Sequence, residues 1–256
     1  GDERIGVFKR LAVEAAARVA GGQRGFGVLI DDKHGRDAIF AASGHGLWIA
    51  KPVEDPGSRP LRFEGSQDIG ARIVEWPVDH VIKCLCFYHP DDDAEMKQAQ
   101  GDKLRTLHDA ARKVGRELLI EIIASKAGPL GDDTVARALG EIYALGIKPD
   151  WWKLEPQASR AAWAAIDETI RANDPWCRGV VLLGLEAPRE ALEVAFAAAQ
   201  SARMVRGFAV GRTIFGEAAK AWFAGRMSDG QAVDDMAARF AALTGTWMKL
   251  RQQQVA

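Results

Sequence analysis

Short apolar runs alternate along this chain with longer stretches whose apolar residues recur every three or four positions. That succession of strand-like and helix-like segments is the signature of repeated βα units around a parallel sheet. The helix-like segments are residues 5–20, 36–42, 94–114, 133–145 and 159–173; in 94–114, Leu104, Leu107, Ala111 and Val114 keep helical spacing. The strand-like segments are 27–31, 47–50, 81–87, 117–123, 150–155, 179–183 and 205–210, the last two each followed by further helix. Residues 32–35 read as an acidic, glycine-punctuated loop and 52–60 as a loop rich in proline and charge. Asp133-Thr134 and Ser159 are expected helix caps, and the run Asp91-Asp92-Asp93 is expected to open the next helix as a solvated cap.

Seven strands joined by helices fall one short of the eight that close a TIM barrel. The expected fold class is therefore α/β, a TIM (β/α)8 barrel in a single domain over residues 1–256. Its first strand is expected to be missing or supplied by a segment upstream of residue 1, and the opening Gly1-Asp2-Glu3-Arg4 carries no initiator methionine. An open doubly wound sheet is the competing architecture, but no G-x-G-x-x-G follows any strand, so its nucleotide-binding version has no support.

The segment Pro149-Asp150-Trp151-Trp152-Lys153-Leu154-Glu155-Pro156 interrupts a core strand with charge. Alternation sends Trp151, Lys153 and Glu155 to one face and Trp152 and Leu154 to the other. A buried ammonium is tolerated when it is paired, when it loses its proton, or when a site uses it, so Lys153 is the leading candidate for chemistry. A purely structural ion pair remains the alternative. Charge recurs on other strands: Asp31 ends the first, Lys83 lies in the third and Glu121 in the fourth. In a parallel barrel, active sites form where strands end, so these groups are expected to converge. Two lysines among carboxylates suggest an amine nucleophile: burial and a second cation at Lys83 would hold Lys153 neutral, and Glu121 would shuttle the proton. The implied chemistry is a retro-aldol cleavage, with Lys153, Glu121, Lys83 and Asp31 as catalytic candidates and Glu155 as a substrate-binding one.

Glycines after the last two strands, Gly184 in Leu183-Gly184-Leu185-Glu186 and Gly211 before Arg212-Thr213, offer backbone N–H groups, a helix start and a guanidinium to a phosphate. Close strand-to-helix packing is the alternative reason for those glycines. His34, His45, His80, His89 and His108 show no metal-ligand spacing and are expected in loop or surface roles; no metal or other cofactor is expected. Trp48, Trp76, Trp163, Trp222 and Trp247 read as packing residues.

Composition narrows the function classes. The chain is 48% apolar, enough for a full core, and its net charge of −1 with no basic run points away from nucleic acid and anionic membranes as partners. Cys84, Cys86 and Cys177 are odd in number and lack C-x-x-C spacing, which suits a reducing cytoplasm rather than a disulfide scaffold. No stretch approaches the roughly 18–20 apolar residues of a membrane span, and no signal-peptide pattern opens the chain.

The stretches Val28-Leu29-Ile30-Asp31-Asp32-Lys33-His34-Gly35, Val81-Ile82-Lys83-Cys84-Leu85-Cys86, Leu118-Leu119-Ile120-Glu121, Trp152-Lys153-Leu154-Glu155-Pro156 and Gly207-Phe208-Ala209-Val210-Gly211-Arg212 resemble class I aldolases of the tagatose 1,6-bisphosphate type. They are more closely similar to the aldolase-like domain fused behind the sugar kinase in bifunctional 5-dehydro-2-deoxygluconokinase proteins of inositol catabolism. The resemblance implies a TIM barrel with a Schiff-base lysine at Lys153, an acid/base glutamate at Glu121, a second lysine at Lys83, an acidic loop at Asp31, and phosphate binding at Gly184, Gly211 and Arg212. It implies a phosphosugar substrate, cleavage of 5-dehydro-2-deoxy-6-phosphogluconate to dihydroxyacetone phosphate and malonate semialdehyde, and, as further partners, a fused sugar-kinase domain or a homo-oligomer. Two departures stand out: no strand ending in aspartate precedes Ile5, and Leu182-Leu183-Gly184-Leu185 lacks the serine hydroxyl of the tagatose enzymes. These favour the alternative of a non-catalytic phosphosugar-binding or regulatory module. A metal-dependent aldolase is disfavoured by the histidine spacing.

Overall fold

A computed structural model describes residues 1–65 and 68–252. It is an α/β fold in which seven parallel strands alternate with helices, and strand order in the sheet follows chain order. A doubly wound sheet requires that order to reverse at a switch point, and none does so here. The chain divides into two compact units, one of residues 1–51, 184–193 and 210–256, the other of 52–183 and 194–209.

In the first unit, β1 (Gly27–Leu29) pairs in parallel with β2 (Trp48–Pro52), Val28 opposite Ile49. Helix α1 (Asp2–Ala20) packs Phe8 and Leu11 with Ala218 and Trp222 of α8 (Arg212–Phe223) and with Val233 and Met236 of α9 (Asp229–Gln252). A second cluster joins Val13 of α1 to Ile30, Ile49 and the apolar face Ala38, Ile39 and Ala42 of α2 (Asp32–Ala42). Residues 32–35, expected as loop, are instead the first turn of α2. Asp31 caps it, its carboxylate accepting the His34 N–H at 3.0 Å, and glycine at position 35 does not break a turn already nucleated by that cap.

The second unit carries β3 (Val81–Cys86), β4 (Leu118–Ile122), β5 (Trp151–Leu154), β6 (Gly179–Leu183) and β7 (Val205–Ala209), each pair of neighbours parallel. Strands covered on both faces read as continuous apolar runs, and every residue of β4 is buried. Helices α4 (Ala94–Lys113) and α5 (Thr134–Ala144) bury Leu104, Leu107 and Ala111, and Val135, Ala138, Leu139 and Ile142, respectively, at helical spacing. A short α3 (Ile69–Val74) precedes β3, and α6 (Arg160–Asn173) lies between β5 and β6. Helix α7 (Arg189–Ala198) follows β6.

Asp93 and Ser159 cap α4 and α6 as expected, accepting Met96 N–H at 2.7 Å and Ala162 N–H at 3.0 Å. The expected Asp133-Thr134 cap does not form: Asp133 makes no cap bond, and the Thr134 hydroxyl instead accepts the Gly131 N–H at 2.8 Å. His80 and His89 lie in loops, one of the two placements expected, but both are buried there and not at the surface. The His89 ring pins its loop, with Nε2 2.9 Å from Pro129 O and Nδ1 3.2 Å from Asp91 N, a use of imidazole that depends on a partner distant in sequence.

Candidate active site

Register brings the strand charges of the second unit together. Glu121 on β4 lies opposite Lys153 on β5 and Leu85 on β3, while Lys83 lies opposite Leu119, two residues before Glu121. Residues two apart share a face, so Lys83, Glu121 and Lys153 project to the same side of the sheet. There the Glu121 carboxylate bridges both amines, Oε2 to Lys83 Nζ at 2.7 Å and Oε1 to Lys153 Nζ at 2.9 Å. Lys83 Nζ also donates to Glu54 Oε1. The side chains are nearly dry: 5% exposed for Glu121, 7% for Lys83 and Glu54, and 11% for Lys153.

Two cations and two anions make this buried cluster neutral when all four are ionised, which is the condition under which burial of charge is tolerated. The lysines nonetheless differ, because Lys83 touches two carboxylates and Lys153 one. Burial works to lower the Lys83 pKa, but the negative charges of Glu121 and Glu54 outweigh it and hold that ammonium more firmly than usual. For Lys153 burial prevails: loss of water, reinforced by the Lys83 charge and only partly offset by Glu121, depresses its pKa below the ordinary lysine value. Burial would raise the Glu121 pKa, but Lys83 and then Lys153 pull it below the usual glutamate value. The arrangement thus presents one firmly charged lysine, one lysine inclined to lose its proton, and an ionised carboxylate between them.

Glu54 was not singled out in the sequence, because it falls in the segment read as a charged loop. Its position is fixed by backbone pairing: Val53 N–H donates to Lys83 O at 3.0 Å, Glu64 N–H to Val53 O at 2.8 Å, and Glu54 bridges Phe63 in antiparallel fashion. The available signal was positional, since Glu54 stands two residues beyond β2 just as Asp31 stands two beyond β1.

The remaining candidates are placed elsewhere or otherwise engaged. Glu155 Oε1 accepts the N–H groups of Ala124 and Ser125 at 2.7 and 3.0 Å, so it ties the end of β5 to the segment after β4. Asp31, in the first unit, pairs with Lys9 while capping α2; burial would raise its pKa, but the Lys9 and His34 hydrogen bonds lower it overall. Lys51, buried at the end of β2 and unmentioned in the sequence reading, pairs with Asp32 at 2.8 Å.

Gly184, Gly211 and Arg212 lie together in the first unit. A Cβ on Gly184 would sit 3.1 Å from the Val210 side chain and one on Gly211 3.0 Å from the Phe215 ring, so close packing by itself accounts for both glycines. Arg212, the first residue of α8, pairs with Glu186, and both are exposed. The Thr213 hydroxyl donates to Ala187 O at 2.7 Å, holding a loop in which Leu185 and Glu186 adopt positive φ of 47° and 60°. Two successive left-handed residues other than glycine are uncommon and mark a loop whose conformation is imposed on it.

Among the described residues, no group of three or more His, Cys, Asp or Glu side chains is placed to hold a metal ion, and no helix is long and apolar enough to cross a membrane. No curated protein matches the chain. Among solved structures, the crystal structure of Cgl0159 from Corynebacterium glutamicum (Brevibacterium flavum), a structural genomics target, is similar, with a TM-score of 0.56 and 18% sequence identity over 92% of this chain and 76% of that one. Similarity at that level of identity speaks for the fold alone. Residues 1–251 match the DUF2090 family, described as an uncharacterized protein conserved in bacteria, and the chain belongs to that family.

Proposed function

We propose that this protein is a class I aldolase in which Lys153 forms a Schiff base with a phosphorylated keto sugar acid. The observation that carries the reading is the Lys153–Glu121–Lys83 triad, a buried amine with depressed pKa beside an ionised carboxylate and a fixed cation. A neutral amine adds to a ketone and expels water, and the iminium then accepts the electron pair of the adjacent carbon–carbon bond. In 5-dehydro-2-deoxy-6-phosphogluconate, the most specific substrate the reading supports, Glu121 takes the proton of the hydroxyl on the carbon that leaves as malonate semialdehyde. The enamine left on Lys153 is protonated and hydrolysed to dihydroxyacetone phosphate. Lys83, held charged, stabilises Glu121 as a carboxylate and, by repulsion, Lys153 as an amine. The seven βα units are read here as seven of the eight of a TIM barrel, the architecture that gathers such residues at strand ends.

Within the first unit, Gly184, Gly211 and Arg212, with α8 beginning at that point and the left-handed Leu185-Glu186 loop beside it, are by themselves the candidates for holding a phosphate group. In this reading the ligand phosphate replaces Glu186 on the exposed guanidinium. That exchange alone, without Lys153 chemistry, is what a non-catalytic phosphosugar-binding module would use, and the pairing of Arg212 with Glu186 keeps that second reading in play.

Borohydride reduction in the presence of dihydroxyacetone phosphate separates the two. An adduct mapped to Lys153 by peptide mass, and lost in Lys153→Met, is the expected outcome. Phosphosugar binding without any adduct would replace the aldolase with the binding module.

A further inference from the structure

The four buried charges form a chain that alternates in sign. Glu54 pairs with Lys83, Lys83 with Glu121 at 2.7 Å, and Glu121 with Lys153 at 2.9 Å. Lys83 is therefore an inner link held by two carboxylates, and Lys153 an end link held by one. Take Glu54 away and what remains is close to symmetric: two lysines, 7% and 11% exposed, on the two oxygens of one carboxylate at nearly equal distances. A symmetric pair gives up its first proton from both members, with no preferred site. Backbone bonds on either side fix where the Glu54 carboxylate falls. Val53 N–H donates to Lys83 O at 3.0 Å, and Asp55 N–H to Arg62 O at 2.8 Å, so the segment that delivers the carboxylate is fastened to β3 at Lys83 itself.

From this geometry we infer that Glu54 selects the reactive amine: by pairing with Lys83 it keeps the positive charge there and leaves Lys153 as the lysine that becomes neutral. When Lys153 loses its proton, Glu54, Lys83 and Glu121 remain as a cation flanked by two anions. Loss of the Lys83 proton would instead leave Glu54 buried without its cation, an arrangement a dry site strongly disfavours. The opposite shifts of the two lysines agree with this bias. The Glu54 charge favours the ammonium form of both, but for Lys153 it ranks behind burial, Glu121 and Lys83, whereas Lys83 feels it both as a charge and as a hydrogen bond. Glu54 acts on Lys153 through Lys83 and is a positioning residue.

The inference rests on Lys153 as the reactive amine of the proposed function, and its test is a separate titration of each lysine. Lysine carrying an NMR-active carbon label at Cε reports its own protonation without any sugar, and single substitutions to arginine assign the Lys83 and Lys153 signals. In the wild-type protein Lys153 should titrate first and over its whole range, with a preference over Lys83 of at least roughly a hundredfold. Glu54→Gln, checked for folding by circular dichroism, removes the bias: both signals should move in one first step, each over about half its range, and the preference should fall below about threefold. Glu54→Asp keeps the charge and should restore a preference of roughly tenfold or more. Wild-type lysines that titrate together, or an unchanged order in Glu54→Gln, would overturn the inference. So would full-range titration of both lysines near the ordinary value of about 10.4 in Glu54→Gln, because that is what a merely loosened cluster shows. A dihydroxyacetone phosphate adduct at Lys153 together with an unchanged order in Glu54→Gln would keep the aldolase and discard this role for Glu54. Separated wild-type titrations that merge in Glu54→Gln, without any adduct, would keep the role and discard the aldolase.

Discussion

Lys83 and Lys153 are both lysines, both buried, and both bound to Glu121, yet their proton affinities move in opposite directions because one has a second carboxylate and the other does not. This asymmetry makes their substitutions unequal. Lys83→Met leaves Glu54 and Glu121 buried with only Lys153 to balance them, and should cost about 3–5 kcal/mol of unfolding free energy in urea titrations. Lys153→Met removes the cation whose charge the fold already disfavours and leaves Glu121 with Lys83; it should cost less than half as much while abolishing the borohydride adduct. Lys83, Glu121 and Lys153 were legible in the sequence because each breaks an apolar run. Glu54 was not, because a glutamate between prolines and charges looks solvated until a strand at a distance of 29 residues, with Lys83, closes over it.

Among the structural elements, several candidate residues prove to be fasteners. Glu155 satisfies two N–H groups after β4, so Glu155→Ala should destabilise by about 1–3 kcal/mol and speed hydrogen exchange at Ala124 and Ser125. Asp31 caps α2: Asp31→Ala should cost about 1 kcal/mol in thermal or urea unfolding, and Asp31→Asn should recover most of it, since an amide oxygen still accepts the His34 N–H. The sequence marked Asp31 and Glu155 as strand-end carboxylates correctly, but a strand end is also where the next helix or the neighbouring segment needs an acceptor. Caps at Asp93 and Ser159 were readable from local chemistry; the Thr134 hydroxyl was not, because the N–H it accepts, that of Gly131, belongs to the loop before the helix and not to the helix itself.

For the whole molecule, the cluster sets the dependence of stability on pH. Glu121 has a folded pKa below the ordinary glutamate value of 4.5, so its contribution is fully present above that value and is lost as pH falls through the lower folded one. Lys83 has a folded pKa above 10.5, so its contribution is fully present below that value and fades as pH rises through the folded one. Lys153 works oppositely: its depressed pKa is a cost that is full at low pH and disappears by 10.5. Urea midpoints measured from about pH 3 to 11 should therefore fall on the acid side, and Glu121→Gln should flatten that limb. The sequence by itself determined the seven alternating βα units and which residues on them were out of place, because periodicity and a charge in an apolar run are local properties of the chain. Only the tertiary structure decided that Glu54 belongs with the lysines, that Asp31 and Glu155 serve as acceptors for the backbone, and that one lysine of two gives way, because pairing and burial depend on strand register and on partners the sequence separates.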